Sequence, residues 1–594
     1  MDIAYASGIV HLFLSSFVLW IVPAHLVFLS DLVAFPASLF FSLRAIVIRW
    51  NQKQPQIAGA HGDSTASGLS EQCTTDQSDS KTSAREMMTD QKATRRGQHR
   101  SDRPVDPLLE QVKSESCGSG GITKRGVPRM RLIMLAAQLL LFAMLLDFVY
   151  RPLLTPGKDL TVFRPGYVSH DSARLHIRYP EGGKLELRYR VNDINSPWES
   201  AGKFDSPTEE TDFTTTSALI NLRPSTKYIV ELITHQPTAS VDSVLLDSIE
   251  FKTAPGPHSP TRLRFGTGSC IKPNFPYRPT MSPDIYGFES MLEHSSDMDM
   301  IMFMGDFIYA DVPLYFGASV EDYRRLYRQV YMAKSSRHLL RKVPMLHVYD
   351  DHEIKNNWHN QEREPMGSAM TAYNEYNGLA NPPPQLPGRS YYNFTHGNVA
   401  FYAWDTRRYR TRWEDSSSAG DGVKGATMLG AEQKRDFIEW LAEVNHTAAV
   451  KFVVSSVPVT TGWSNFDSSQ DTWRGYPTER SEILGLTKYI PNLFFLSGDR
   501  HEMAAVELPS GNIEFSTSPI SQFTFPLVGK FKSDINGEKT LHYRRPGHVK
   551  YGIIDVDTET DPDVPRIKYS LYTTDVDQGH SPAWVYEANG VPWV

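Results

Sequence analysis

Four short strand-like runs in this 594-residue chain each end in a cluster of Gly, Asp, Tyr, His or Cys. Residues 262–265 lead to Gly268-Ser269-Cys270, and residues 300–304 to Gly305-Asp306-Phe307-Ile308-Tyr309. Residues 345–348 lead to Tyr349-Asp350-Asp351-His352-Glu353, and residues 493–496 to Ser497-Gly498-Asp499-Arg500-His501-Glu502. Strands that release such residues at one end bring them together above a sheet. Carboxylates, a phenolate and a thiolate suit hard and borderline cations. The pattern points to a polynuclear metal hydrolase.

The N-terminal part of the chain constrains its location. Residues 1–50 are almost entirely apolar, and residues 9–30 are long enough to cross a bilayer. Residues 32–48 are just long enough for a returning span, so this region crosses once or twice. A cleaved signal peptide is the rival reading, against which stand the length of the run and the lack of a clear small-residue cleavage site. Residues 51–131 are rich in Ser, Thr, Gln, Asp, Lys and Arg, a composition that cannot bury enough surface to order itself. A basic flank, Lys124, Arg125, Arg129 and Arg131, then abuts a second apolar run at 132–150. The positive-inside rule puts that loop in the cytosol and everything after Tyr150 on the lumenal or extracellular side. The sequons at Asn393 and Asn445 agree with this topology. Of the three cysteines, Cys73 and Cys117 fall in the loop, which leaves Cys270 alone beyond the membrane. After Tyr150 there are 46 basic and 55 acidic residues. This mildly acidic balance, without a basic stripe, excludes a nucleic-acid groove.

Two modules follow. Residues 155–256 carry short alternating strands at 173–179, 184–191, 218–221, 227–235 and 248–253, at the spacing of a small β-sandwich. The run from Ile220 to Tyr228 resembles the turn and tyrosine corner of fibronectin type III domains. Residues 257–594 alternate strands and helices, an α/β or α+β layered domain. Ser319 is placed to cap a helix running to about 342. A second helix, about 432–444, should bury Phe437, Ile438, Leu441 and Val444. Further strands are expected at 399–404, 450–455, 513–515 and 549–556.

In Gly305-Asp306-x-x-Tyr309 the glycine allows a tight exit from the strand, and Asp306 can bridge two cations. A turn brings the Tyr309 phenolate to the same centre, where it favours a trivalent ion such as Fe(III). The Cys270 thiolate also suits iron better than magnesium or calcium. Asp351 offers a carboxylate, and His352 an imidazole for substrate or leaving group. Asp499 and His501 share one face of an extended segment.

Together with MGDFIYAD (304–311), YDDHEIKNN (349–357), WDTRRYR (404–410), DTWRGYPTER (471–480) and SGDRHE (497–502), these residues carry a resemblance over about 160–594. The chain resembles the PhoD-like alkaline phosphatase family, relatives of the purple acid phosphatases and other metallophosphoesterases. The resemblance implies a four-layer αββα metallophosphoesterase domain behind the fibronectin-like module and the N-terminal transmembrane helices. It implies an iron and calcium site. Cys270, Asp306, Tyr309 and His501 would hold Fe3+; Asp306, Asp351 and Asp499, with Asn357 or Asn356, would hold Ca2+.

The expected function is hydrolysis of a small phosphate mono- or diester by cation-activated water. His352 would stabilise the transition state or protonate the leaving group. Arg407 would offset phosphoryl charge, or else form a plain salt bridge. Trp463, Trp473 and Tyr476 either line the cleft or pack their loop. A phospholipid head-group diesterase and an inactive receptor ectodomain are the alternatives.

Overall fold

The β-strands of the described residues divide into four sheets, and their pairing fixes where the clusters meet. The computed structural model describes residues 126–594 except 236–242, 276, 278–282, 360, 413–425, 465–466, 525–530 and 594. The expected N-terminal spans in 1–50 and nearly all of the loop at 51–131 lie outside the described residues.

Helix α1 (Gly126–Leu154) covers the apolar run expected at 132–150 and continues through Pro152. Its stretch Leu132–Leu154 is the one helix among the described residues long and apolar enough to cross a membrane, with a mean hydropathy of 2.4. Leu132, Ile133, Leu139 and Leu140 are exposed, whereas Leu145 and Val149 are buried against Leu314 and Phe316.

Next come β1 (Val162–Val168), β2 (Ala173–Arg178), β3 (Lys184–Val191), β4 (Glu199–Asp205), β5 (Thr214–Leu219), β6 (Lys227–His235) and β7 (Val244–Lys252). They form two antiparallel sheets, β1-β2-β5 and β4-β3-β6-β7. Alternate residues Leu175, Ile177, Leu185, Leu187, Val230 and Leu232 fill one shared core, as the period-2 pattern requires. Strands β1 and β4 escape sequence reading for local reasons: β1 contains Pro165-Gly166, and β4 is mostly exposed, without an apolar alternation. The other face of β2 is buried too, because it meets the following module. Asp212 accepts hydrogen bonds from Arg178 (3.0 Å), Arg328 (2.5 Å) and Tyr376, and His176 lies against Tyr331 and Tyr376.

The larger region is built on two sheets. One contains β8 (Arg262–Gly268), β9 (Met300–Met304) and β10 (Met345–Val348), mutually parallel in the order β10-β9-β8. The antiparallel strands β18 (Tyr551–Asp557), β19 (Arg566–Tyr572) and β20 (Trp584–Asn589) extend it. The other comprises β11 (Tyr392–His396), β12 (Val399–Ala403), β13 (Val450–Val454), β14 (Leu493–Ser497), β15 (Met503–Glu507), β16 (Ile513–Thr517) and β17 (Lys539–Arg544). Its order is β11-β12-β13-β14-β16-β15-β17, with β12, β13, β14 and β16 parallel.

Phe265, Met302, Phe401, Phe452, Leu496 and Phe515 fill the space between the sheets. Phe265 meets Phe401 and Phe452 edge-on at 5.4 and 5.2 Å, a favoured aromatic geometry. On one outer face lie α2 (Tyr286–Glu293), α3 (Val320–Met332), α4 (Lys334–Lys342) and α5 (Met366–Tyr376), sharing a core with Ile301 and Phe303. On the other, α6 (Gly430–Thr447) and α8 (Pro477–Thr487), with the short α7 (Ser468–Asp471) between them in sequence, cover Tyr402, Val453 and Phe495. Helix, sheet, sheet and helix make four layers. The central strands are buried on both faces and read as continuous hydrophobic runs.

Two expectations are corrected. The helix expected from Ser319 to 342 is two helices, broken where Ala333 leaves helical geometry at ψ 135°. The Ser319 cap itself is present, in a reciprocal box with Asp322. In α6, Ile438 is 37% exposed and Trp440 is buried with Phe437, Leu441 and Val444. The buried stripe of a 3.6-residue period passes through 437, 440, 441 and 444, which leaves 438 on its edge.

Candidate metal centre

The loops after β8, β9 and β10 leave the first sheet at its carboxyl edge, and the loop after β14 comes from the second. They are laced together through the backbone. Cys270 N–H donates to Gly305 O (3.1 Å) and Ile271 N–H to Asp306 O (3.0 Å), while Asp499 N–H donates to Ser269 Oγ (3.2 Å). The Glu353 carboxylate accepts the N–H groups of Asp306 (3.0 Å), Phe307 (2.5 Å), Ile308 (3.4 Å) and Asp350 (2.7 Å). Gly305 makes this approach possible, since a Cβ there would stand 2.5 Å from that of Asp350.

Five of the expected site residues sit in the left-handed region: Cys270 (φ 63°), Asp306 (59°), Asn357 (57°), Asp499 (70°) and His501 (57°). Each such residue costs roughly 1–3 kcal/mol, and such residues cluster where a site over-determines them.

The side chains converge in two overlapping groups. Ligand atoms of Cys270, Asp306 and His501 lie within 4.8 Å of one another, and so do those of Asp306, Asp351 and His352. Asp306 belongs to both. Its Oδ2 accepts from the Tyr309 hydroxyl (3.0 Å) and stands 3.3 Å from Cys270 Sγ, and that hydroxyl is 2.9 Å from His501 Nε2. Its Oδ1 is buried without a hydrogen-bond partner among the described residues. Asp499 lies beside these groups, held by Ser269 and by Arg500 Nη1 (3.1 Å). Asn357 reaches Asp351 through its backbone N–H, and the exposed Asn356 reaches Asp311 the same way (2.8 Å).

Burial first, and then neighbouring acids, drive these groups toward their protonated forms. Asp306 is held well above the carboxylate range by burial and by Asp351, Asp350 and Glu353, against His352. Burial and Asp306 push up the Cys270 thiol, and burial with Asp306 and Cys270 pushes up the Tyr309 phenol. Asp499 is pushed up to about 8 by burial and by Asp471, Asp350 and Asp351, against Arg500. A cation would relieve the repulsion that protons otherwise relieve. Two carboxylates, a thiol, a phenol and an imidazole around an unpartnered buried oxygen fit a metal pair of mixed hardness.

His352 is the basic counterpart. Burial disfavours its charge, but Asp311, Asp351 and Asp306 outweigh burial and raise its pKa well above the ordinary value. Asp311 Oδ1 engages Nδ1 at 2.6 Å.

Arg407 is fully buried. Its Nε donates to Asp350 Oδ1 (2.5 Å) and its Nη1 to Asp471 Oδ1 (2.5 Å), with Asp351 Oδ1 3.6 Å away. Of the two readings of Arg407, these contacts describe the salt bridge. Trp463, Trp473 and Tyr476 are likewise buried, in the core beneath the second sheet, so they pack their loop and do not line a cleft.

Sequence reasoning missed the supporting residues Glu353, Asp311, Asp350, Asp471 and Arg500. Each stands inside a motif already singled out. For all of them except Asp471 the usable signal is closeness in sequence to an expected ligand; which partner each one takes is a tertiary fact.

The profile of the PhoD-like phosphatase family matches residues 265–564. Alkaline phosphatase D of Bacillus subtilis (strain 168) is 25% identical over a 293-residue alignment, with 41% of this chain covered. The match spans 48% of that relative's length. A solved structure of PhoD superposes with a TM-score of 0.56 at 18% identity, covering 72% of this chain and 89% of that one. Purple acid phosphatase PPD1 from yellow lupin (Lupinus luteus) seeds gives 0.51 at 12% identity, covering 73% and 74%. At these identities the two superpositions establish a shared fold.

Proposed function

Because this chain belongs to the PhoD-like phosphatase family, we propose that it is a metal-dependent phosphoric ester hydrolase anchored in a membrane. The observation that carries this reading is Asp306, common to both ligand groups and with one buried oxygen unpartnered among the described residues. Cys270, Asp306, Tyr309 and His501 would hold Fe3+. Asp306, Asp351 and Asp499, with Asn357 or Asn356, would hold Ca2+. When bound, these ions supply Lewis acidity that activates water and offsets phosphoryl charge.

The chain's own residues supply the remaining chemistry. In the net reaction a P–O bond forms to water, the ester P–O bond breaks and a proton reaches the departing oxygen. Asp311 fixes Nδ1 of His352 as a donor, which leaves Nε2 to deliver that proton. Arg407 is a positioning residue, tying Asp350 and Asp471 beneath Asp351.

Support for the anchor comes from α1, whose first turns carry part of the basic flank; by the positive-inside rule the hydrolase would then lie in the lumen or outside the cell. The seven strands of β1–β7 support a fibronectin-type spacer, as does Arg223 N–H donating to the Tyr228 hydroxyl (2.9 Å). Asn393 and Asn445, each partly exposed, would be glycosylated there.

Metal analysis of the purified protein, with turnover of matched mono- and diesters, tests the whole reading. Absence of bound metal and of both activities would defeat it. Cys270→Ser should lower iron occupancy and turnover while the circular dichroism spectrum stays unchanged. Wild-type iron and turnover in that variant would remove Cys270 from the ligand set. His352→Asn should lower kcat by about 10²–10⁴-fold, with the loss increasing as the leaving group becomes more basic. A loss independent of the leaving group would assign His352 to binding instead.

A further inference from the structure

The end of α1 is part of the hydrolase domain, and its depth can be reckoned from helix geometry. With the hydrocarbon entered at Leu132, just past the basic flank, a rise of about 1.5 Å per residue places Leu145 through Val149 roughly 20–26 Å along the helix axis. The hydrocarbon core is about 30 Å thick, so these residues lie inside its outer edge. Any tilt of the helix puts them deeper. Yet Leu145 and Val149 are covered by Leu314 and Phe316 of the ectodomain, and Phe148 meets Tyr277 edge-on at 5.7 Å. Asp147, an acid at this depth, accepts from the Tyr277 hydroxyl (2.6 Å) and from Arg151 Nε (3.2 Å). Ionisable groups inside a membrane require such partners.

We propose that the uncharged segment 312–316, together with Tyr277, enters the outer leaflet beside α1 and holds the metal centre at the headgroup layer, so that the substrate is a phosphate ester borne by a membrane lipid. The inference rests on the membrane-anchored hydrolase reading and adds the substrate class. The segment Val312-Pro313-Leu314-Tyr315-Phe316 follows directly on Asp311, the partner of His352, and begins three residues after Tyr309. Lys272, two residues past Cys270, donates Nζ to Val312 O (2.7 Å). A small cavity is lined by Phe148 and Arg151 of α1 and by Tyr309 itself. The lipid-facing rim and the catalytic loops thus share the same few residues of chain.

The test uses the full chain in phosphatidylcholine vesicles, with Cys73→Ser and Cys117→Ser leaving only the buried Cys270. A nitroxide attached through Leu314→Cys should relax more with oxygen than with a water-soluble nickel chelate. Separately, Leu314→Asp should slow hydrolysis of a diacylglycerol p-nitrophenyl phosphate in vesicles by about tenfold or more, since a carboxylate is costly at hydrocarbon depth. Turnover of soluble bis(p-nitrophenyl) phosphate should stay within about twofold of wild type, as for a substitution away from the reacting atoms. Preferential relaxation by the chelate, or equal losses on both substrates, would overturn the inference. A wild-type protein inactive on both substrates would instead defeat the hydrolase reading beneath it.

Discussion

Asp306→Asn should lower kcat/KM on a phosphate ester by at least about a hundredfold, the upper range seen when only a ligand's supporting partner is lost. The content of both metals should fall with it. The reason is topological: among the described residues Asp306 is the candidate ligand shared by the group of Cys270 and His501 and the group of Asp351 and His352. The amide keeps the shape and the Tyr309 contact but removes the charge. The metal-free variant should melt no lower than metal-free wild type, because the carboxylate it replaces is buried beside Asp351, Asp350 and Glu353. Elemental analysis, ester turnover and thermal melts in chelator check the three expectations together. Wild-type metal content would mean that the two groups do not share this residue as a ligand.

Arg407→Met should destabilise the fold by about 3–5 kcal/mol, the cost of breaking a buried ion pair from one side. Asp350 and Asp471 are both fully buried, and each loses a 2.5 Å partner. Denaturant unfolding of the metal-free protein reads the change. Adding Asp350→Asn should recover part of it, since the second substitution removes the carboxylate that the first leaves uncompensated. Additive losses would mean that Arg407 and Asp350 are not coupled, and that Arg407 acts through Asp471 alone.

Much of the catalytic sheet was legible because its strands are buried on both faces. The runs at 300–304 and 345–348 coincide with β9 and β10, where a continuous apolar run leaves little choice of register. The clusters that converge were legible for a related reason, since Asp, Cys and His abruptly end those runs. The network around Arg407 was not, because Asp350 and Asp471 are 57 and 64 residues away from it in sequence. Nothing local separates a guanidinium that faces substrate from one buried between acids. The tryptophans at 463 and 473 were ambiguous for the same cause. The outer strands β1 and β4 were lost where Pro165, Gly166 and exposed polar side chains hide the period of two. The interruption between α3 and α4 was hidden because Ala333, a strong helix former, stands at it.

Glu353 has a consequence for how the centre comes to exist. Its single carboxylate gathers four amides from the loops after β9 and β10, holding Asp306 and Asp350 in place through protein contacts alone. On the proposed metal-binding reading these loops would keep their shape without ions, and ion binding would be a reversible charging of a finished scaffold. Dialysis against a chelator and re-addition of the ions would then act as an off and on control, with no refolding between the two states.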